Sequence, residues 1–359
     1  MRLGDFTRQC MQAHREGRMT ETLASIGEFG LIRRIHKFLQ HKSVRTPGVM
    51  LGIGDDTASF RPRAGYDLLV TCDCLVEGQH FLPDHITPLD LGRRAMVVNI
   101  SDIGAMGGHP LYALVSLGLK TDTPVADVEA MYRGFTMELN PFKASVIGGN
   151  ITKTEDAIFI DITLIGEVKQ GKLMLRSAAQ VGNAILVTGY PGQAAAGLQL
   201  LMRSKPTEDL GEHPLVRAHT TPSHRAQEGQ AIARPGYATA MIDTSDGFLG
   251  DLGHICQASG VGAVLIQEKF PISKDLKQAA VQLGLDPFEM FLKDSDDYEL
   301  ILTCSPDHIA HIRSVIAGVS DIPVTEVGRI TDEVGNFLLI LPDGTQRRLT
   351  PVGWNHFKR

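Results

Sequence analysis

Aspartates recur beside small residues along this chain. They are Asp55 and Asp56 after Gly54, Asp73, Asp102 in Asn-Ile-Ser-Asp, Asp243 and Asp246 in Asp-Thr-Ser-Asp-Gly, and Asp296 with Asp297. Carboxylates dispersed in this way suit charge neutralisation. Magnesium prefers hard oxygen ligands, keeps several waters and engages only one or two carboxylates per ion. Several ions on a polyphosphate therefore call for several separated aspartates rather than one cage. Taken singly, each aspartate could equally cap a helix or close an Asx-turn. Taken together, with glycine in both aspartate-rich turns, they point to metal and polyphosphate binding.

The commoner phosphate signatures are missing. There is no G-x-x-x-x-G-K-[ST], Gly52-Ile53-Gly54 has no third glycine at dinucleotide-fold spacing, and neither H-R-D nor G-x-S-x-G occurs. The five cysteines (Cys10, Cys72, Cys74, Cys256, Cys304) are odd in number and form no C-x-x-C. They read as reduced thiols of a cytoplasmic protein. Among 13 histidines there is no H-E-x-x-H, and His308 and His311 read as solvent-facing.

The elements that must position these residues follow from periodicity and turn chemistry. Leu31, Ile32, Ile35, Phe38 and Leu39 repeat at helical spacing. Residues 67–73 read as a buried strand. Thr87-Pro88 and Thr123-Pro124 are helix starts, the first opening a helix to about Met106. Strands are predicted at 111–119, 145–148 and 158–164. A second set follows: strand 184–189, helix 193–202, loop 203–220, a helix after Thr221-Pro222, strand 238–243, helix 247–258 and strand 262–266. Strand 298–304, a helix after Pro306 and two short strands complete it.

Strands alternating with helices indicate an α/β or α+β protein. A length of 359 residues suits two domains. The pattern breaks at Gln170-Gly171-Lys172, so the expected division is an extension over 1–25, a first domain over 26–169 and a second over 170–359. Apolar residues make up 43%, enough for large cores. The formal charge of −6 argues against nucleic acid and anionic lipid as partners. Apolar stretches are far short of a membrane span of about 20 residues. The first residues lack the apolar region of a secretory signal.

Seven segments in order carry a resemblance: GIGDDTA (52–58), DCLVEGQHF (73–81), NISDIGAMGGHP (99–110), VIGGN (146–150), DTSDGFLGDLGHI (243–255), DDYELIL (296–302) and GWNHF (353–357). They resemble the thiamine-monophosphate kinases of the aminoimidazole-ribonucleotide-synthetase superfamily. The resemblance implies two α/β domains, with the N-terminal sheets of two subunits joined into a barrel-like core of a homodimer. It implies transfer of the γ-phosphoryl of ATP onto thiamine monophosphate, with magnesium ions as cofactors. By motif position, Asp56, Asp73, Asp102, Asp243 and Asp246 match magnesium ligands, with Thr71 and Cys72 at further ligand positions and Asn150 at another. Tyr132, Gly149, Asn150, Arg176 and Ser245 match nucleotide contacts. His80, Asp296 and Trp354 match contacts to thiamine phosphate. No general base is expected, because a phosphate acceptor with a second pKa of about 6 is already mostly the dianion at pH 7.

The chain departs from the family pattern at several positions. Asn150 replaces an aspartate, Cys72 stands where a hydroxyl is usual, and Asp294 and Ser295 stand where glycines would be. Asn183 and Gln193 also replace aspartates. These departures keep two alternatives open: a diverged superfamily enzyme acting on another small phosphate or amide, and a non-catalytic nucleotide- or thiamine-phosphate-binding protein.

Overall fold

The computed structural model describes residues 21–42, 46–53, 57–204 and 210–353. Asp56, Trp354 and most of the expected extension lie outside the described residues. The chain begins with α1 (Leu23–Lys42), β1 (Val49–Leu51) and β2 (Ser59–Phe60), then β3 (Tyr66–Val76), α2 (Pro88–Ala105), β4 (His109–Leu119), α3 (Val125–Leu139), β5 (Ser145–Lys153) and β6 (Phe159–Lys169). There follow β7 (Ala184–Thr188), α4 (Gln193–Arg203), α5 (Pro214–Thr220), α6 (Ala226–Ala233), β8 (Ala238–Asp243), α7 (Phe248–Ser259) and β9 (Gly262–Ile266). The last elements are α8 (Lys274–Leu283), α9 (Pro287–Leu292), β10 (Leu300–Cys304), α10 (Ile309–Ala317), β11 (Val324–Thr331), β12 (Phe337–Ile340) and β13 (Gln346–Leu349).

The architecture is the expected mixed α/β one. One open sheet has the order β3-β6-β4-β5 and the other β13-β12-β9-β11-β7-β10-β8. Among the described strands, β4–β5 and β12–β9 are the parallel pairs. Thr87 caps α2 as its side chain accepts from the Asp90 amide, with Pro88 at the first helical position. Four predictions need correction. Residues 67–73 form a strand but not a buried one, since Leu68, Val70 and Cys72 on its outer face are exposed. Residues 203–220 are not all loop, because Pro214 opens α5. The helix foreseen after Pro222 starts only at Ala226. His308 is not simply solvent-facing, since its Nδ1 lies 3.1 Å from the Tyr237 carbonyl oxygen.

The helix α2 joins the two halves. It packs against β3 and β6 of the first sheet, β8 of the second, and helices α3 and α6. Small residues permit the close approach. A Cβ at Gly92 would lie 2.2 Å from the Met131 carbonyl oxygen, and one at Gly104 would lie 2.5 Å from the Ala226 Cα. Gly104→Ala is therefore expected to destabilise the protein by about 1–3 kcal/mol, the usual cost of overpacking. Urea unfolding measures this, and an unchanged midpoint would refute the tight crossing.

The core of the first half lies between the sheet and α2–α3, around Ile100, Val115, Phe135, Ile160 and Ile162. Along β3 the opposite face of that sheet is left open by the described residues: Val70 is 67% exposed, Leu68 is exposed, and so are Cys72 and Cys74. Strand β4, which carries residues 111–119, has one face only partly buried. Among the described residues no helix is long and apolar enough to cross a membrane.

Candidate active site

Strand alternation decides which side chains of β3 meet α2. Thr71 and Asp73 face the helix, and the Thr71 hydroxyl donates to the Asp102 carboxylate. Ser101 Oγ, one residue earlier on α2, donates to Asp243 Oδ2 at 2.6 Å. Asp243 ends β8 and is 2% exposed. Carboxylates from a strand of one sheet, a strand of the other and the helix between them thus converge.

Crowding leaves an electrostatic mark. Burial, then the nearby Asp102, pushes the Asp73 carboxyl up to about 7. Burial and Asp102 likewise push Asp243 up to about 7, against the Ser101 hydrogen bond and the Arg176 charge. Asp73 Oδ2 is buried with no hydrogen-bond partner. Acceptor-only oxygens packed together in this way favour a bound cation. The donor set of carboxylates and a hydroxyl fits magnesium.

The turn after β8 adds a second group. Asp251 Oδ2 accepts from the Ser245 and Asp246 amides, each at 3.1 Å. Burial, then Asp243 and Asp246, pushes Asp251 up to about 8. Ligand atoms of Asp246, Asp251 and His254 lie within 4.8 Å of one another. Sequence reasoning missed Asp251 and His254. Their three-residue spacing on a helix was the available signal, because it places both on one face.

The Asp-Asp-Tyr-Glu segment approaches from the second half. Arg94, only 3% exposed, donates from Nη2 to Asp296 Oδ2 at 2.8 Å. Its Nη1 lies 3.3 Å from His219 Nε2. Burial, then the Arg94 charge, pushes the His219 imidazole down to about 3, so the ring is neutral and accepts this bond. Asp297 accepts from the Gly192 and Ala194 amides at 2.6 and 2.9 Å, and Ser295 Oγ accepts from Ala195 at 3.1 Å. These two side chains satisfy amides at the start of α4. Ser295, a departure in the sequence, thus has a structural task. Tyr298 has a φ of 54°, an uncommon conformation for a residue with a side chain.

Other expected site residues are placed differently. Cys72 faces away from Asp73, with Sγ donating to Asp161 Oδ1 at 3.3 Å. Tyr132 is buried in the α3 core, edge-on to Phe135 with ring centroids 5.1 Å apart. Asn150 is exposed on the edge strand, in register with Ser116. The neighbouring Gly149 has a φ of 152°, and a Cβ there would meet the Val115 carbonyl oxygen at 1.9 Å. His80 Nδ1 accepts from the Val76 amide at 3.0 Å, which fixes the ring proton on Nε2. Arg176 is exposed, yet near enough to Asp243 to favour its charged form.

Residues 54–168 match the family model described as AIR synthase related protein, N-terminal domain, and residues 180–340 match its C-terminal domain. The thiamine-monophosphate kinase of Aquifex aeolicus is 36% identical over 335 residues, covering 93% of this chain and 99% of that protein. The chain belongs to the thiamine-monophosphate kinase family. The solved thiamine-monophosphate kinase of Stenotrophomonas maltophilia is 32% identical, covers 89% of this chain and 97% of that one, and superposes with a TM-score of 0.76. AaThiL complexed with AMPPCP and TMP is 35% identical, covers 95% of this chain and all of that one, with a TM-score of 0.72. Within this family frame the described parts of the sequence segments fall on both halves of the molecule. The convergence of Asp73, Asp102 and Asp243 is where the two halves meet.

Proposed function

We propose that this chain catalyses ATP-dependent phosphorylation of thiamine monophosphate to thiamine diphosphate. The observation that carries this reading is the carboxylate cluster at the junction of the halves, in a chain 35% identical to a protein complexed with AMPPCP and TMP. Phosphoryl transfer is mainly positioning and electrostatic stabilisation. Asp73, Asp102, Asp243 and Thr71, with Asp246 beyond them, would hold magnesium, which would supply the charge that offsets repulsion between two polyanions. Arg176 adds fixed positive charge on the nucleotide side, to which Ser245 also belongs. Gly149 and Asn150 belong to the nucleotide side as well, and Tyr132 supports it from the core. Arg94 holds Asp296 in place for the acceptor, with His80 as a donor from Nε2. Asp56 and Trp354 complete the reading by motif position, while the Cys72 thiol contributes no magnesium contact.

The uncovered face and open edges of the four-stranded sheet support a homodimer in which a second copy closes the barrel. Exposed thiols at Cys72 and Cys74 suit a reducing cytoplasm.

Purified protein incubated with ATP, magnesium and thiamine monophosphate is expected to yield thiamine diphosphate, measured by chromatography. Binding of both ligands without product, or turnover only on another phosphate, would overturn the reading. Arg176→Ala is expected to raise the KM for ATP about tenfold, the loss of one charge-assisted contact of roughly 1.5 kcal/mol. An unchanged KM would remove Arg176 from the nucleotide side.

A further inference from the structure

A cavity of about 800 Å³ lies at the far end of the first sheet, within the roughly 300–1,000 Å³ range of small-molecule sites. Leu68, near the start of β3 on the face assigned above to a second copy, lines it at one side, whereas Asp73 lies five residues further along the same strand, about 16 Å away at strand rise. The carboxylate cluster and this cavity are therefore separate places. Their charges are opposite too. Arg61, Arg63, Lys143, Lys169, Lys172 and Arg234 line the cavity, and Glu167 is its one acid. Glu167 is taken up by Arg63 at 2.5 Å, and among the described residues the other five cations have no ion pair. Such a concentration of cations stands out in a chain of formal charge −6.

The floor is apolar and aromatic. Phe60 and Tyr112 pack with centroids 4.6 Å apart, and Phe142 is buried beside them. The Arg63 guanidinium lies 3.4 Å from the Tyr66 ring centroid, so that ring and charge present one surface. Gln230 Nε2, from α6, is buried with no hydrogen-bond partner and belongs to the same lining. An amide donor without an acceptor is costly unless a ligand supplies one.

We infer that this cavity is a second binding site, for a small phosphorylated molecule carrying a flat ring. The ring lies on the aromatic floor. The phosphate meets the cations at the mouth, where arginine forks suit its oxygens. An acceptor on the ligand satisfies Gln230. The wall also includes Gly107, five residues beyond Asp102, so occupancy bears on the end of α2 that carries the catalytic carboxylate.

Pyridoxal 5′-phosphate is a suitable probe, because it combines a flat ring, a phosphate and an aldehyde. The aldehyde condenses with a neutral lysine amine, releasing water, and borohydride reduces the imine to a stable secondary amine. With AMPPCP and magnesium present at saturation, peptide mapping is expected to find one label per chain, on Lys143, Lys169 or Lys172. Inorganic pyrophosphate should suppress it. The double variant Arg61→Ser/Arg234→Ser should lower labelling at least tenfold while AMPPCP binding and the circular dichroism spectrum stay unchanged. Arg63 is left in place, since its removal would strand Glu167. Labels spread over lysines in proportion to their exposure, or a label displaced by AMPPCP, would overturn the inference. So would labelling indifferent to the arginine substitutions. No step of this test depends on turnover, so it stands or falls separately from the proposed reaction.

Discussion

Asp243→Asn is expected to cut turnover at least a hundredfold while making the metal-free protein more stable. The loss follows from removing one of three convergent carboxylates, since a single preorganised charge or donor at such a site is worth about 10²–10³ in rate. The gain follows from linkage. The Asp243 carboxyl is raised from an ordinary 3.8 to about 7 in the folded protein, first by burial and then by Asp102. A raised carboxyl contributes stability that is fully present below its unfolded pKa and lost as pH rises through the folded value. Metal-free protein should therefore lose stability between about pH 4 and pH 7, and Asp73, raised in the same way, adds to the loss. Asparagine has no charge to bury, its Oδ1 can still accept from Ser101, and its amide can donate to Asp102. At pH 8 in EDTA the variant should be more stable by about 2 kcal/mol, with little difference at pH 4. Thermal melts across this range decide the matter. A variant that melts lower than the parent at pH 8 would show that the carboxylates do not repel each other.

Arg225→Leu should have the largest effect on stability, about 3–5 kcal/mol. Arg225 donates from Nε and Nη2 to the two oxygens of Glu299, each at 2.6 Å, and Thr188 Oγ1 donates to the same carboxylate at 2.6 Å. The pair ties the start of α6 to the start of β10. Gly189, with a φ of 57°, leaves room for it, because a Cβ there would sit 2.0 Å from Glu299 Oε1. Without the guanidinium a buried anion loses its counter-charge. The double variant Arg225→Leu/Glu299→Leu should recover most of the loss, because it removes the stranded charge as well. Urea unfolding of both variants tests this. A single variant within 1 kcal/mol of the parent would mean that water already reaches the pair.

Much of the fold was legible because local chemistry and tertiary role agree. Thr87-Pro88 starts α2 as read, and Asp73 within β3 comes near Asp243 at the end of β8. Helices α8 and α9 went unread although Ser273 caps the first and Asp286-Pro287 opens the second. Facing was harder than existence. Cys72 and Asp73 are neighbours in a motif but point to opposite sides of a sheet, and only pairing with β6 settles which side carries the helix. The Arg94–Asp296 contact was beyond sequence reading for another reason. Its partners are 202 residues apart, and neither local pattern signals the other.

That separation has a consequence for synthesis. A ribosome adds about 5–20 residues per second, so the interval between emergence of Arg94 and of Asp296 is roughly 10–40 s. Ser101 waits nearly as long for Asp243, 142 residues on. Throughout that interval the nascent first half has an unpaired arginine and an open helix face where the second half will later dock. Neither the Arg94–Asp296 nor the Ser101–Asp243 contact can form before most of the second half has been made. The growing chain thus lacks its complete carboxylate cluster until Asp243 has been made, and is most exposed to misassociation with another nascent copy while it waits.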